Sequence, residues 1–279
     1  MMESNPNEWL RVIHPEILPR LGKIRHALFD FDGTLSVLRQ GWETVMIPVM
    51  VESIVGDRTA PLEIVEEVKE YVDRSTGILT ILQMQWLEEA VRRHGLVKNP
   101  LTAAEYKALY LQRLMATVRQ RIAQVADGRV DPHDRMVMGA ADFLVGLRER
   151  GVWLYAASGT DHADVVHEAG VLGLAGYFDG RIYGALDQIE AQSKEKIIQR
   201  ILDENFLSGE ELLVVGDGPV ELRAAKAVGA VALGLASDEE ARQGWNELKT
   251  QRLLNAGADL MVADFSRANA LLALLFNEA

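Results

Sequence analysis

A chain of 279 residues, 48% hydrophobic and 25% charged, is long enough for one large α/β domain or for a core plus a smaller insert, each with its own apolar centre. It has no cysteine, which excludes disulfides, zinc–thiolate sites and cysteine nucleophiles. Its net charge of -12 argues against nucleic-acid and anionic-membrane partners, and a divalent cation would offset part of that charge in any acidic pocket.

No internal repeat, low-complexity tract or membrane-length apolar run interrupts the chain. The first 23 residues carry three prolines and several charges and lack an apolar core like that of a signal peptide, so a cytoplasmic protein is expected. The first clear strand is His26–Asp32, a short apolar run that ends in acids and then Gly33. A second, Val152–Ala157, leads into Ser158-Gly159-Thr160, and a third, Glu211–Gly216, leads into Asp217-Gly218. Weaker candidates are Phe178–Tyr183, Val231–Leu235 and Leu260–Ala263. Helical patterns over Met138–Arg150, Asp161–Ala169, Val220–Val228 and Glu239–Ala256 each stop at a glycine, which fits the left-handed cap position. Further helices are expected over Lys194–Glu204 and Ser266–Phe276. Strand and helix in alternation predict a Rossmann-like parallel sheet with helices on both faces.

The stretch from Arg39 to His133 is almost purely helical in pattern. Tyr106, Tyr110, Leu114, Val118 and Ile122 recur every four residues, supported by Leu111, Met115 and Val125. Ile64, Val68 and Val72 repeat the pattern earlier, and Ile81–Val91 makes a third helix. Asn99-Pro100 and Asp127 through Pro132 read as breaks. An all-helical insert is therefore predicted, with an α/β core at 1–38 and 137–279 and a cap domain at 39–136.

Three strands end in polar residues, and ligands of open parallel sheets bind at the carboxyl ends of strands. Asp30, Asp32, Ser158, Thr160 and Asp217 would all face one crevice. Of Asp30 and Asp32, one carboxylate can attack phosphorus and form a covalent intermediate, while the other protonates the leaving oxygen and later takes a proton from water. Gly33 lets the chain turn, with Thr34 bonding back into that turn. Asp-x-Asp-Gly alone equally describes a solvated strand-to-loop turn; an EF-hand fails for want of a third acid before the glycine and a helix upstream. Asp217 and Glu221 complete with Asp30 an oxygen-rich cluster suited to Mg²⁺, although Glu221 also reads as an acid at a helix N-terminus. As a dinucleotide fingerprint the segment fails, because Glu221 replaces the third glycine. Ser158 and Gly159 offer a hydroxyl and N–H groups at the start of a helix for phosphate oxygens, and equally an ordinary cap. The segment is not a serine-hydrolase elbow, since Ala156 stands where that motif needs glycine. Lys194 or Lys196 could balance the charge on nucleophile and phosphoryl group, or face solvent. The six histidines show no metal-ligand spacing.

Taken in order, DFDGT at 30–34, SGT at 158–160, Lys194 in SKEKII and GDGPVE at 216–221 resemble the haloacid dehalogenase-like phosphatase superfamily. The resemblance covers about residues 25–38 and 137–265. It implies Asp30 as nucleophile, Asp32 as general acid/base, and phosphate binding by Ser158, Gly159, Thr34 and Lys194. It also implies Mg²⁺ held at Asp30, Asp32 (through its carbonyl) and Asp217, with Glu221 in the metal's surroundings where many relatives carry Asp. Lys194 is favoured over Lys196 because it stands three or four residues before the apolar pair Ile197 and Ile198. The 126 residues from Asp32 to Ser158, against 36 from Ser158 to Lys194, place the insert after the first motif, as in relatives with a helical C1-type cap that closes over the site.

The expected activity is Mg²⁺-dependent hydrolysis of a small sugar-phosphate-like monoester through an aspartyl-phosphate. A phosphomutase and a catalytically silent binding protein are the alternatives. Dehalogenation is disfavoured, because halide leaves without needing the proton of Asp32. Arg39, Trp42, Thr76 and Gln83 are candidate substrate contacts, with Trp42 equally a hinge residue and Gln83 equally a helix surface residue.

Overall fold

In a computed structural model the chain is described over residues 9–185 and 193–278. Among these residues seven strands form one sheet in the order β1-β7-β6-β5-β2-β3-β4, with β1 Leu10–Val12, β2 His26–Asp30, β3 Trp153–Asp161, β4 Ile182–Ala185, β5 Leu212–Gly216, β6 Val231–Leu235 and β7 Leu260–Val262. All neighbours run parallel except β1, which pairs antiparallel with β7 at the edge. Every residue of β2, β5, β6 and β7 is buried, the condition of parallel strands covered on both faces.

Alternation along each strand divides the core. Ala27, Phe29, Leu213 and Val215 face one apolar layer, where α5 (Ala140–Glu149) and α11 (Ala268–Leu275) pack and Phe143 stacks on Phe265 at 4.9 Å. Leu28, Tyr155, Leu212 and Val214 face the other, against α8 (Lys194–Asn205), α9 (Pro219–Ala227) and α10 (Glu247–Ala256). This two-sided core aligns the carboxyl ends of β2, β3 and β5 along one edge.

Between β2 and β3 the chain leaves the sheet to form α1 Glu43–Val55, α2 Leu62–Arg74, α3 Thr80–His94 and α4 Ala103–Ala126. These helices enclose an apolar centre of their own, including Met50, Val68, Leu87, Tyr106, Tyr110 and Leu114. Thr102 and Glu105 start α4 with reciprocal side-chain-to-backbone hydrogen bonds, which satisfy N–H groups that the first turn would otherwise leave open. The fold is thus an α/β parallel sheet with an all-helical insert. Among the described residues no helix is long and apolar enough to cross a membrane.

Several elements differ from the pattern reading. The strand expected at Phe178–Tyr183 is the end of a short helix α7, Ala175–Phe178, and the strand itself begins at Ile182. The glycine-terminated helix expected over Glu239–Ala256 starts only at Glu247, because residues 239–246 form turns in which Asn246 caps the helix through Lys249 N–H. Strand β3 continues through Ser158-Gly159-Thr160 to Asp161, and α6, His162–Val171, begins after it. A register irregularity against β4 between Ala157 and Asp161 accommodates the extra length. The edge strand β1 and helix α1 had no distinct periodic signal.

Candidate active site

At the end of β2, Asp30 is buried, and its Oδ1 accepts a hydrogen bond from the N–H of Phe31 at 2.8 Å. Its Oδ2 lies 2.9 Å from Lys194 Nζ, which opens α8. The same ammonium donates to Glu221 Oε2 at 2.9 Å, while Glu221 Oε1 accepts from the N–H of Gly218 at 2.8 Å. Burial pushes the Asp30 carboxyl well above the usual carboxylate range; Lys194 opposes this, and Glu221 and Asp217 add to it. Burial alone would lower Lys194, but attraction from Asp30 and Glu221 outweighs it and holds the amine firmly protonated. Lys196, by contrast, is exposed.

Asp217, at the end of β5, accepts from Thr34 Oγ1 at 3.2 Å and from Lys249 Nζ at 2.6 Å. Lys249 also donates to Glu239 at 2.7 Å. Gly33 holds φ +77, and a Cβ there would come within 2.3 Å of Asp217 Oδ2. Glycine at 33 therefore serves both the left-handed turn and the approach of Asp217 to β2.

Asp32 faces β3. Its Oδ2 accepts from Ser158 Oγ at 2.8 Å and from Thr160 Oγ1 at 3.0 Å. Its Oδ1 is buried with no hydrogen-bond partner among the described residues, and the nearest cation is Arg39 Nε at 3.8 Å. Arg39 is itself buried and makes a forked pair with Glu168 of α6, plus a longer contact with Asp164 at 3.4 Å.

A cavity of about 70 Å³ opens between these strand ends and the insert, lined by Asp30, Asp32, Arg39, Thr160, Gly159 and Asp217 below. Trp42, Thr76, Gly77, Ile78, Thr80, Gln83 and Tyr110 line it from the insert side. The insert touches the sheet closely here. A Cβ on Gly159 would fall 2.3 Å from the carbonyl oxygen of Ile78, and Thr80 Oγ1 donates to the carbonyl of Gly159 at 3.3 Å.

Most residues singled out in the sequence converge here, with corrections. Thr34 is fully buried and bonds Asp217 rather than its own turn or the cavity. Glu221 accepts from Lys194 and from the Gly218 N–H, which holds Lys194 beside Asp30, and its carboxylate lies in one buried cluster with Asp30 and Asp217. Ser158 and Thr160 lie on a strand, not a helix start, and their hydroxyls turn to Asp32. Gln83 is buried rather than on a helix surface; its Nε2 donates to Ser75 Oγ at 3.2 Å. Trp42 and Thr76 line the cavity, Thr76 with its hydroxyl donated to the carbonyl of Val72 at 3.1 Å.

Residues missed from sequence carry much of the electrostatics. Glu168 shares a buried helix face with Val165 and Ala169, and Lys249 shares one with Leu253 and Ala256. A charge at an apolar-face position was the available signal in both cases.

Ligand oxygens of Asp30, Asp217 and Glu221 lie within 4.8 Å of one another and are buried. Three buried carboxylates face two ammonium groups there. A divalent cation suits this hard oxygen set of Asp30, Asp217 and Glu221.

The chain belongs to the haloacid dehalogenase-like hydrolase family, whose model matches residues 24–229. No curated protein matches it. Similar solved structures include a predicted phosphoglycolate phosphatase from Haemophilus somnus, 14% identical with a TM-score of 0.59, covering 89% of this chain and 98% of that one. A predicted phosphatase from Clostridium acetobutylicum is 17% identical with a TM-score of 0.58 over 89% and 98% of the two chains. A beta-phosphoglucomutase from Clostridium difficile is 12% identical with a TM-score of 0.60 over 91% and 98%. At these identities the likeness is one of fold.

Proposed function

We propose that this hydrolase is a Mg²⁺-dependent phosphatase that cleaves a small, sugar-phosphate-like monoester through an aspartyl-phosphate on Asp30. The observation that carries the reading is the meeting of Asp30, Asp32, Lys194 and Asp217 at the ends of β2, β5 and α8 beside one cavity. The phosphatases among the similar structures support the same class of reaction.

In the proposed reaction an Asp30 oxygen attacks phosphorus and the bond to the leaving alcohol breaks. Asp32, protonated, gives its proton to the departing oxygen. Asp32 then takes a proton from water, which attacks the aspartyl-phosphate, releases inorganic phosphate and restores Asp30. The buried Asp32 Oδ1 has no other hydrogen-bond partner and is the oxygen suited to carry this proton. Ser158 and Thr160 fix the other oxygen and so orient the carboxyl. Lys194 offsets the charge on Asp30 and the phosphoryl group. The backbone at Gly159 lines the cavity, where it can meet phosphate oxygens. Bound Mg²⁺, held by Asp30 and Asp217, would supply further neutralisation of phosphoryl charge. The insert, taken as a cap over 39–136, would exclude bulk water and contact the alcohol.

Release of phosphate from nitrophenyl phosphate, with Mg²⁺ and with chelator, tests the reading. The Asp30→Asn chain should unfold at an unchanged temperature and release no phosphate above background. Near-normal turnover by that variant would refute the covalent route. Isomerisation of a sugar phosphate without free phosphate, dependent on a bisphosphate primer, would instead identify a mutase.

A further inference from the structure

Tyr110 breaks a pattern among the buried tyrosines. Tyr71 donates its hydroxyl to the carbonyl of Leu82, Tyr106 accepts from the N–H of Leu101, and Tyr155 pairs with His26. Tyr110, on the same helix as Tyr106 and only 4% exposed, lines the cavity, and its hydroxyl has no hydrogen-bond partner among the described residues. A buried phenol left open toward a cavity is a group held ready for a ligand. Burial raises its pKa beyond the ordinary tyrosine range, so it stands there as a neutral donor. Gln83 is buried and lines the same cavity; its Nε2 is engaged by Ser75, while its Oε1 accepts no hydrogen bond among the described residues. Donor and acceptor together match an alcohol hydroxyl.

The cations around the cavity are each shared between carboxylates. Arg39 is held by Glu168 and Asp164, Lys194 by Asp30 and Glu221, and Lys249 by Asp217 and Glu239. Apart from Arg39, the insert's lining residues, Trp42, Thr76, Gly77, Ile78, Thr80, Gln83 and Tyr110, are uncharged. Residues 1–8, 186–192 and 279 contain no lysine or arginine. A second anionic group on the substrate would therefore meet cations whose charge carboxylates already offset, and it would be brought close to Asp32 and Asp217.

We propose that Tyr110, with Gln83, makes the insert a reader of neutral hydroxyl-bearing leaving groups, so that the site favours phosphates of small polyols and rejects those carrying a carboxylate. This rests on the phosphatase reading of the same site.

Steady-state phosphate release by the full chain with Mg²⁺, compared over four probes, tests it: hydroxyethyl phosphate, ethyl phosphate, phosphoglycolate and nitrophenyl phosphate. In kcat/KM, hydroxyethyl phosphate should exceed ethyl phosphate by about five- to tenfold, the worth of one neutral hydrogen bond. Phosphoglycolate should fall below hydroxyethyl phosphate by about a hundredfold, the cost of a poorly compensated charge. In Tyr110→Phe the ratio of hydroxyethyl to ethyl phosphate should collapse toward one. Phosphoglycolate turned over as well as hydroxyethyl phosphate, or a ratio that persists in Tyr110→Phe, overturns the inference while nitrophenyl phosphate hydrolysis leaves the phosphatase reading standing. Failure of all four probes, nitrophenyl phosphate included, overturns both.

Discussion

Arg39 and Glu168, 129 residues apart in the chain, form a buried forked ion pair, with Nη2 to Oε1 at 2.6 Å and Nε to the two oxygens at 3.0 and 3.2 Å. The pair ties the loop after β2 to α6 and keeps a guanidinium beside Asp32. Arg39 also stays within 3.4 Å of Asp164, so its charge is divided among three acids.

This pair should leave a signature in the pH dependence of stability. Burial raises the Glu168 carboxyl from the ordinary 4.5 to about 7; hydrogen bonding to Arg39 opposes the rise, and Asp32 and Asp164 add to it. The folded chain thus binds this proton more tightly than the unfolded chain does. Its contribution is fully present below pH 4.5 and is lost as pH rises through about 7. Urea unfolding of the parent and of Glu168→Gln should show a stability difference that declines across that window and is flat above it. A difference that grows with pH would contradict the assignment.

Replacing Asp32 by Asn keeps acceptor capacity for Ser158 and Thr160 while removing the carboxyl that would transfer the proton. Turnover of nitrophenyl phosphate should drop by about 10²–10⁴-fold, the usual worth of general acid/base assistance. Acid-quenched samples should still contain protein-bound phosphate, because attack by Asp30 does not need Asp32 when the leaving group is a good one. A variant with full turnover would remove Asp32 from the chemistry.

Gly159→Ala places a methyl group 2.3 Å from the carbonyl oxygen of Ile78. Since Gly159 is not held at positive φ, the strain is purely one of contact between β3 and the loop that precedes α3. The insert must shift outward, which opens the cavity to water. Activity is expected to fall by about a hundredfold, as misplacement of the order of 1 Å does elsewhere. The core, whose packing the change does not reach, should keep its unfolding temperature within about 2–4 °C, the shift that roughly 1 kcal/mol produces in a chain of this size. Unaltered kcat and KM would mean that this contact does not position the insert during turnover.

The acids of the site were legible because the rule that places them is local. An apolar run long enough for one strand, followed at once by Asp30-Phe31-Asp32-Gly33 or by Asp217-Gly218, needs only the neighbouring residues to be interpreted. Helix periodicity likewise exposed the apolar face of α4, and there it also misled. Tyr110 sits in step with Tyr106 and Leu114, so it reads as core, and only its open hydroxyl distinguishes it. Thr34 was assigned to the wrong partner because a turn residue's nearest acceptor in sequence is not its nearest in space. Glu239 was drawn into a helix because charge and glycine punctuation fit one, while Lys249 in fact holds its carboxylate against Asp217.

Strand and helix alternation, the helical nature of residues 43–126 and the position of each acid at a strand's end follow from patterns a few residues long, since backbone hydrogen bonding and burial act at that range. Which cation meets which carboxylate does not. Lys194 with Asp30, Lys249 with Asp217 and Arg39 with Glu168 depend on the strand order and on helices packing across the sheet, and desolvation in that packed interior sets the charge of each group. The neutral face that the insert turns to the cavity was decided there too, by side chains whose partners lie far away in the chain.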